Sequence, residues 1–178
     1  LLIVDEAFMD VAPRGLSVAG DVEPGNLVVL RSFGKFFGMA GVRLGFAIAA
    51  RPMVEGLKSF LGPWAIAGPA LEYGLRALAD TPWQEAARIW LASDAHRLDA
   101  LLAEVGLDVN GGTSLFRHLK FPQAASLYDA LGRQGVIVRA FAGRPEELRI
   151  GLPGPAEDWE RLRIALFDWA SRPERKRA

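Results

Sequence analysis

The residues best suited to chemistry lie in one stretch, residues 32–45, which reads SFGKFFGMAGVRLG. Lys35 stands among its glycines and phenylalanines, with Ser32 three residues before it and Arg43 eight residues after it. A lysine amine that is partly desolvated is more often neutral than an exposed one, and a neutral amine can condense with an aldehyde. A serine hydroxyl and a planar guanidinium both suit a phosphate as hydrogen-bond donors. These residue types favour covalent bonding to an aldehyde beside a phosphate-binding pair.

A carboxylate upstream belongs to a second motif. Asp5 lies in the phrase VDEAF, thirty residues before Lys35. The two motifs together resemble those of the class I/II aminotransferases, pyridoxal 5'-phosphate (PLP) enzymes of fold type I. The resemblance implies PLP as the cofactor, Lys35 as the residue that bonds to it, and Ser32 and Arg43 as phosphate ligands. It also implies that Asp5 keeps the pyridine nitrogen protonated, so that the ring accepts electrons.

Phe8 is a departure from the family pattern at a position implied to contact the cofactor. Many members of the family have a tyrosine there, and its hydroxyl donates a hydrogen bond to the phenolic oxygen of PLP. A phenylalanine cannot donate that bond. The reaction type is therefore less tightly implied than the role of Lys35.

Other readings of the lysine segment are weaker. A Walker A loop requires serine or threonine after the lysine and a glycine where Val29 stands, whereas Phe36 follows Lys35. The glycines of the segment do not form the GxGxxG dinucleotide fingerprint. The plain structural alternative is that Lys35 is a surface lysine and that Asp5 merely ends a buried strand.

Composition limits the classes of function. The 178 residues are 51% hydrophobic, which allows a folded core in one domain or two small ones. The formal net charge is 0, so the chain carries no electrostatic signal for nucleic acid or an anionic membrane. It has no cysteine, which excludes disulfides and thiolate catalysis and fits a cytoplasmic protein. The histidines, His96 and His118, do not form a metal-ligand pattern, so no metal site is expected.

Hydrophobic patterning predicts an α/β fold. Short apolar segments typical of buried strands occupy residues 1–7, 26–31 and 43–50. The first segment ends at Asp5, and ligands of open α/β sheets gather at the carboxyl ends of the strands. By resemblance, we expect residues 1–70 to form the C-terminal part of the fold type I large domain. Residues 75–178 are expected to form a small C-terminal α/β domain.

Helix signals dominate the rest of the chain. A helix predicted over residues 52–61 ends at Gly62-Pro63, and Thr81-Pro82 is typical of an N-cap that opens a long helix ending at Gly106. Further strands are predicted at residues 115–121, 136–141 and 147–151. Further helices are predicted at residues 123–134 and from residue 155 onward. The basic residues 172–178 are expected to be a solvated tail.

Two arginines are candidates for binding a substrate. Arg149 lies in ELRIGLP, a phrase that resembles the family segment whose arginine clamps the substrate carboxylate. Arginine binds a carboxylate through two parallel hydrogen bonds. The alternative for Arg149 is an ion pair with Glu146 or Glu147 on an edge strand. Arg139 could also face the substrate, or pair on the surface.

A third phrase, GGTSLFR at residues 111–117, bears on the branch of the family. It resembles the cobalamin-pathway branch, related to threonine-phosphate decarboxylase, more than the histidinol-phosphate aminotransferases. That resemblance implies a PLP-dependent decarboxylase acting on a phosphorylated amino acid, with transamination as the alternative. An ordinary turn into a strand is the structural alternative for the phrase.

Compared with the family, this sequence resembles only the C-terminal half of an enzyme. The resemblance therefore implies a fragment that is inactive alone, and a third interpretation is a folded module used only for binding or dimerisation. For the whole protein, the resemblance implies a homodimer with a small-molecule amino-acid or phosphorylated amino-acid substrate.

Overall fold

A computed structural model describes residues 1–13, 15–23 and 25–172 of the chain. Its contacts divide the chain into two compact units, Leu1–Ala86 and Ala87–Ala178. The family resemblance places a division between residues 70 and 75, and the assignment of the two parts to a large and a small domain stays a prediction. Residues 173–178 of the predicted tail lie outside the described residues.

The first unit contains a three-stranded sheet. Its strands are Leu2–Asp5 (β1), Leu27–Ser32 (β2) and Gly45–Ala49 (β3), in the order β1-β2-β3. β1 and β2 are parallel, whereas β3 runs antiparallel to β2. Val29, at the centre of the middle strand, is completely buried. Because β1 and β2 are parallel, their carboxyl ends, which carry Asp5 and Ser32, lie at the same edge of the sheet.

Three helices follow the sheet: Arg51–Leu61 (α1), Gly68–Ala79 (α2) and Thr81–Glu104 (α3). α1 ends at Gly62, as predicted, and this glycine has a φ of 71°. α2 is absent from the sequence prediction. The prediction that Thr81 caps α3 is wrong, because the carboxylate Oδ1 of Asp80 accepts the amide hydrogen of Trp83 at 3.1 Å and so performs that role.

The second unit packs helices on a four-stranded antiparallel sheet. Its elements are Gly111–Thr113 (β4), Phe116–Lys120 (β5), Ala124–Arg133 (α4), Arg139–Phe141 (β6), Arg144–Gly151 (β7) and Ala156–Ala170 (α5). The strand order is β4-β5-β7-β6. β4 was not predicted, and β6 is shorter than the predicted strand at residues 136–141. β7 lies between two strands, so it is not an edge strand.

One hydrophobic core holds the second unit together. The sheet contributes Leu119, Leu148 and Ile150, all at most 2% exposed. Helices α3, α4 and α5 cover this face with the buried side chains Leu98, Leu102, Leu127, Leu131, Trp159, Leu166 and Trp169. The opposite face of the sheet carries polar side chains at alternate positions, as expected for a sheet with one buried face.

Among the described residues, no helix combines the length and the apolarity needed to cross a membrane. No group of three or more histidine, aspartate or glutamate side chains in the same part of the chain is arranged to hold a metal ion.

Gly112 is required by the hairpin of β4 and β5. Its φ is 139°, and a Cβ atom there would lie 2.3 Å from the carbonyl oxygen of Phe116. Since backbone atoms of a paired strand cannot easily move away, Gly112→Ala is expected to reduce the free energy of unfolding of this chain by about 2 kcal/mol. Denaturant unfolding followed by circular dichroism measures the change.

Gly111→Ala is the matched control, because a Cβ atom at Gly111 would meet nothing within 4 Å. It should leave the unfolding midpoint close to that of the unmodified chain. Equal midpoints for the two variants would contradict the steric explanation.

Candidate active site

Asp5 is the last residue of β1, at the edge of the sheet where β2 also ends. The amide of Ala7 donates to its Oδ1 at 2.9 Å, and this bond fixes the carboxylate against the turn that follows. Asp5 is exposed. The strand therefore presents a carboxylate to any ligand bound at this edge.

The lysine lies in a closed loop between β2 and β3, residues 33–44, which we call the lysine loop. The amide of Phe33 donates to the carbonyl of Leu44 at 3.1 Å, and this bond closes the neck of the loop. Inside it, the amide of Met39 donates to the carbonyl of Phe33 at 3.0 Å. A second internal turn is closed by a bond of 3.0 Å from Gly38 to the carbonyl of Lys35.

Aromatic side chains anchor the lysine loop. Phe33 and Phe37 stack with ring centroids 4.3 Å apart, and Phe36 lies 5.4 Å from Trp83. The three phenylalanines are at most 7% exposed. Burial of large aromatic rings stabilises a loop strongly, since each ring removes a large apolar area from water. The alternation of glycine and phenylalanine in the sequence thus fixes a backbone that carries one exposed lysine.

Lys35 itself points out of this aromatic cluster. Its Nζ lies 5.4 Å from the centroid of the Phe8 ring, within the range of a cation–π interaction. The loop therefore brings Lys35 to the segment that follows Asp5. Lys35 is exposed, so burial within this chain does not supply the desolvation that the sequence argument favours.

Ser32 and Arg43 flank the two ends of the lysine loop. The Ser32 hydroxyl oxygen accepts the amide hydrogen of Gly34 at 3.2 Å, and its own hydrogen remains available to a ligand. Arg43 is exposed, and its guanidinium donates to the carbonyl of Ala40 at 3.0 Å. Its φ of 57° is left-handed, which is unusual for a residue other than glycine. Such strain is often found at functional sites.

In the second unit, the two candidate arginines are neighbours on the polar face of the sheet. Arg139 of β6 is the Cα partner of Arg149 of β7, and Arg149 is in turn the partner of His118 of β5. The guanidinium of Arg149 lies 4.9 Å from the Phe116 ring, and that of Arg139 lies 5.6 Å from the Phe141 ring. Both arginines thus rest against aromatic rings in a row across adjacent strands.

Glu147 on the same face is bound by other partners. Its Oε2 lies 3.1 Å from Nε2 of His118 and 3.0 Å from the guanidinium of Arg144. The surface alternative for Arg149 named Glu146 or Glu147 as its partner, and among the described ion pairs the Glu147 carboxylate is bound to His118 and Arg144.

The segment at residues 111–117 has a structural role in the second unit. It forms the hairpin of β4 and β5, and Arg117 binds Asp99 of α3 through both of its carboxylate oxygens. Hydrogen bonding from Arg117 lowers the pKa of Asp99, and the positive charge of Arg117 acts in the same direction. Arg117 also donates to the carbonyl of Thr113 at 2.6 Å. The phrase therefore attaches the hairpin to α3.

A polar network that was not predicted from the sequence lies beside Asp5 and Ser32. Glu6 is 2% exposed, and Arg31 lies 3.0 Å from its carboxylate. The signal was available, because each of these two charged residues lies next to a candidate site residue within an otherwise apolar strand segment.

Fold and site together define the class: a mixed α/β chain with a carboxylate, a serine and a lysine loop at one edge of a sheet. A histidinol-phosphate aminotransferase of Sinorhizobium meliloti, solved in complex with pyridoxal-5'-phosphate, superposes on this chain with a TM-score of 0.84 at 22% identity. The match covers 96% of this chain and 48% of that one. The predicted fold class is confirmed.

The chain belongs to the aminotransferase class I and II family, whose profile matches residues 1–166. A threonine-phosphate decarboxylase of Pseudomonas aeruginosa is 46% identical over 166 residues, which cover 93% of this chain and 50% of that protein. A histidinol-phosphate aminotransferase of Nitratidesulfovibrio vulgaris is 34% identical over 89% of this chain and 44% of that protein. The family predicted from the lysine and aspartate motifs is confirmed. The chain spans about half the length of the curated relatives that it matches.

Proposed function

We propose that the whole protein is a PLP-dependent decarboxylase of threonine phosphate that serves cobalamin biosynthesis. The observation that carries the proposal is the 46% identity, over 93% of this chain, to a threonine-phosphate decarboxylase. The histidinol-phosphate aminotransferase at 34% identity supports the alternative, transamination.

The residues at the edge of the first sheet fit PLP by their chemistry. The cofactor combines an aldehyde, a basic ring nitrogen and a phosphate, and these three groups need an amine, a carboxylate and several hydrogen-bond donors. Lys35, Asp5 and the pair of Ser32 and Arg43 match them in that order, and the lysine loop keeps Ser32 and Arg43 at its two ends. Asp5, Lys35 and Arg43 are exposed, so a ligand can reach them.

Bound PLP supplies an electron-accepting ring to a carbanion at the substrate's alpha carbon. The Asp5 carboxylate would accept a hydrogen bond from the protonated ring nitrogen, and the Ser32 hydroxyl and the Arg43 guanidinium would donate hydrogen bonds to the phosphate. The amine of Lys35 would hold the aldehyde and would also be the group that moves a proton at the reacting carbon of the substrate. Phe8 offers Lys35 the face of a ring and no hydroxyl, so this position could not donate a hydrogen bond to the phenolic oxygen of PLP.

Arg149 and Arg139 are proposed to bind the anionic groups of the substrate. Threonine phosphate carries a carboxylate and a phosphate, and two adjacent guanidinium groups can hold them in separate places. The bond that breaks is the one held perpendicular to the cofactor ring. The positions of the two anionic groups therefore determine whether carbon dioxide or a proton leaves.

A substrate assay tests the proposed reaction. With PLP and threonine phosphate, the whole protein is expected to release carbon dioxide and form aminopropanol phosphate in equal amounts. Histidinol phosphate with 2-oxoglutarate serves as the comparison substrate pair. If the protein consumed histidinol phosphate and 2-oxoglutarate faster than threonine phosphate, it would be a transaminase.

Arg149→Lys is expected to raise the KM for threonine phosphate by about 10- to 100-fold, because a lysine cannot form two parallel bonds to a carboxylate. Steady-state kinetics with kcat and KM separated measure the effect. Arg144→Lys is the matched control, since Arg144 lies on the same strand and pairs with Glu147. Equal changes in both variants would contradict a substrate contact at Arg149.

The whole protein is further proposed to be a cytoplasmic homodimer. Membership of the family supports the dimer, and the absence of cysteine supports a reducing compartment. Light scattering of the whole protein at several concentrations measures the assembly.

A further inference from the structure

A charged pair lies between the two strand ends that carry the proposed cofactor ligands. Glu6 follows Asp5 at the end of β1, and Arg31 precedes Ser32 at the end of β2. Glu6 is 2% exposed, and the side chain of Arg31 is 21% exposed. A buried carboxylate is costly unless it is paired and hydrogen-bonded, so the arrangement around Glu6 needs a reason.

The Glu6 carboxylate is bound by three groups. The Ser17 hydroxyl donates to it at 2.7 Å and the Val18 amide at 2.8 Å. Nε of Arg31 lies 3.0 Å from Oε2 of Glu6, but its N–H is not aligned for a hydrogen bond, so this contact is an ion pair. The loop after β1 is thereby folded back onto the end of β1.

The other nitrogens of Arg31 extend the same network. NH1 donates to Asp10 at 2.8 Å, and NH2 donates to the Ser17 hydroxyl oxygen at 3.2 Å. Asp10 and Arg31 line a pocket of about 330 Å³ together with Ser32. The network therefore reaches from the residue beside Asp5 to the residue beside Ser32, and it includes the loop between them.

We propose that the Glu6–Arg31 ion pair is a positioning element that fixes Asp5 relative to Ser32 for cofactor binding. The amide of Glu6 continues the ladder to the carbonyl of Leu30 at 2.9 Å, so the backbone sets the strand spacing. The ion pair then restrains the ends of the two strands, where the Asp5 carboxylate and the Ser32 hydroxyl lie. This inference rests on the proposed function, because it assigns the pair to the same PLP site.

A positioning role and a purely stabilising role of the ion pair have different effects on PLP affinity. A ligand that is bound at both ends, by a carboxylate at one and by a hydroxyl at the other, loses affinity when their separation changes by a fraction of an ångström. A pair that only stabilised the fold would change unfolding and leave the affinity for PLP intact.

The test measures PLP affinity and the visible circular dichroism of bound PLP in the whole protein, below its unfolding temperature. Glu6→Gln is expected to weaken PLP binding by about tenfold and to change the dichroism of bound PLP. Arg31→Lys keeps the charge and should recover part of the affinity relative to Arg31→Met. Ser17→Ala removes one hydrogen bond on each side of the pair without changing charge, and a loss of about threefold is expected.

Asp99→Asn is the matched control, because it breaks the bidentate pair with Arg117 in the second unit. It should lower the unfolding temperature and leave PLP affinity unchanged.

The positioning role would be overturned if Glu6→Gln and Ser17→Ala both lower the unfolding temperature but keep the wild-type PLP affinity and dichroism. If Glu6→Gln does not fold, Ser17→Ala decides the question by the same two measurements. A folded wild-type protein that binds no PLP overturns the proposed function and this inference together, whereas normal PLP binding with unaffected variants overturns the inference only.

Discussion

Lys35→Ala is expected to reduce turnover by about four orders of magnitude or more, since no other side chain of the lysine loop carries an amine. The loop should still fold, because its backbone bonds and the packing of Phe33, Phe36 and Phe37 do not involve the lysine side chain. The measurement is kcat of the whole protein with saturating PLP and threonine phosphate.

Lys58→Ala is the control for Lys35→Ala. Lys58 is an exposed lysine of α1 that lies 3.7 Å from Glu55, and its loss should leave kcat unchanged. Borohydride reduction with PLP, followed by peptide mapping, supplies an independent readout of the same assignment. A label on Lys58 or Lys120 in place of Lys35 would refute it.

Asp5→Asn is expected to lower kcat by about a thousandfold while PLP still binds. The amide oxygen of asparagine can still accept the bond from Ala7, so the end of β1 should keep its shape. What is lost is the negative charge that favours a proton on the ring nitrogen. Steady-state kinetics at saturating PLP measure the loss, and a separate PLP titration shows whether binding survives.

Asp21→Asn is the matched control, because Asp21 is an exposed aspartate of the first unit outside the site. It should behave like the unmodified protein in both assays. Turnover of Asp5→Asn within a few-fold of wild type would mean that Asp5 simply ends a strand.

Much of the fold follows from local sequence. The apolar segments gave the bounds of β1, β2 and β3 within about two residues, because strands of an α/β sheet read as short continuous apolar runs. The prediction that the first segment is buried is wrong, since Leu2 and Ile3 of β1 are each 60% exposed. α2 was not predicted, although it begins at Gly68-Pro69 and proline in the first turn is a common helix start. β4 is only three residues long, and its existence depends on pairing with β5, which local patterning does not contain.

The candidate site was also only partly predicted from the sequence. The motif at Lys35 and the aspartate upstream predicted the family from residue types alone, and that prediction is confirmed. The individual roles of Asp5, Ser32, Lys35 and Arg43 stay predictions. The charges of Glu6 and Arg31 in apolar segments were a sequence signal, but the partners Asp10 and Ser17 could not be predicted, because they meet this pair only when the loop after β1 folds back.

At Arg43, the residue that best suits the left-handed backbone differs from the residue that best suits the proposed binding of a phosphate. A glycine there would adopt a φ of 57° without steric cost, and the chain would gain about 1 kcal/mol of stability. The same change would delete the guanidinium proposed to bind the phosphate. Stability and ligand affinity therefore have opposite optima at residue 43. An attempt to raise the heat resistance of this protein by relieving backbone strain would select, at this residue, a variant that holds its cofactor less tightly.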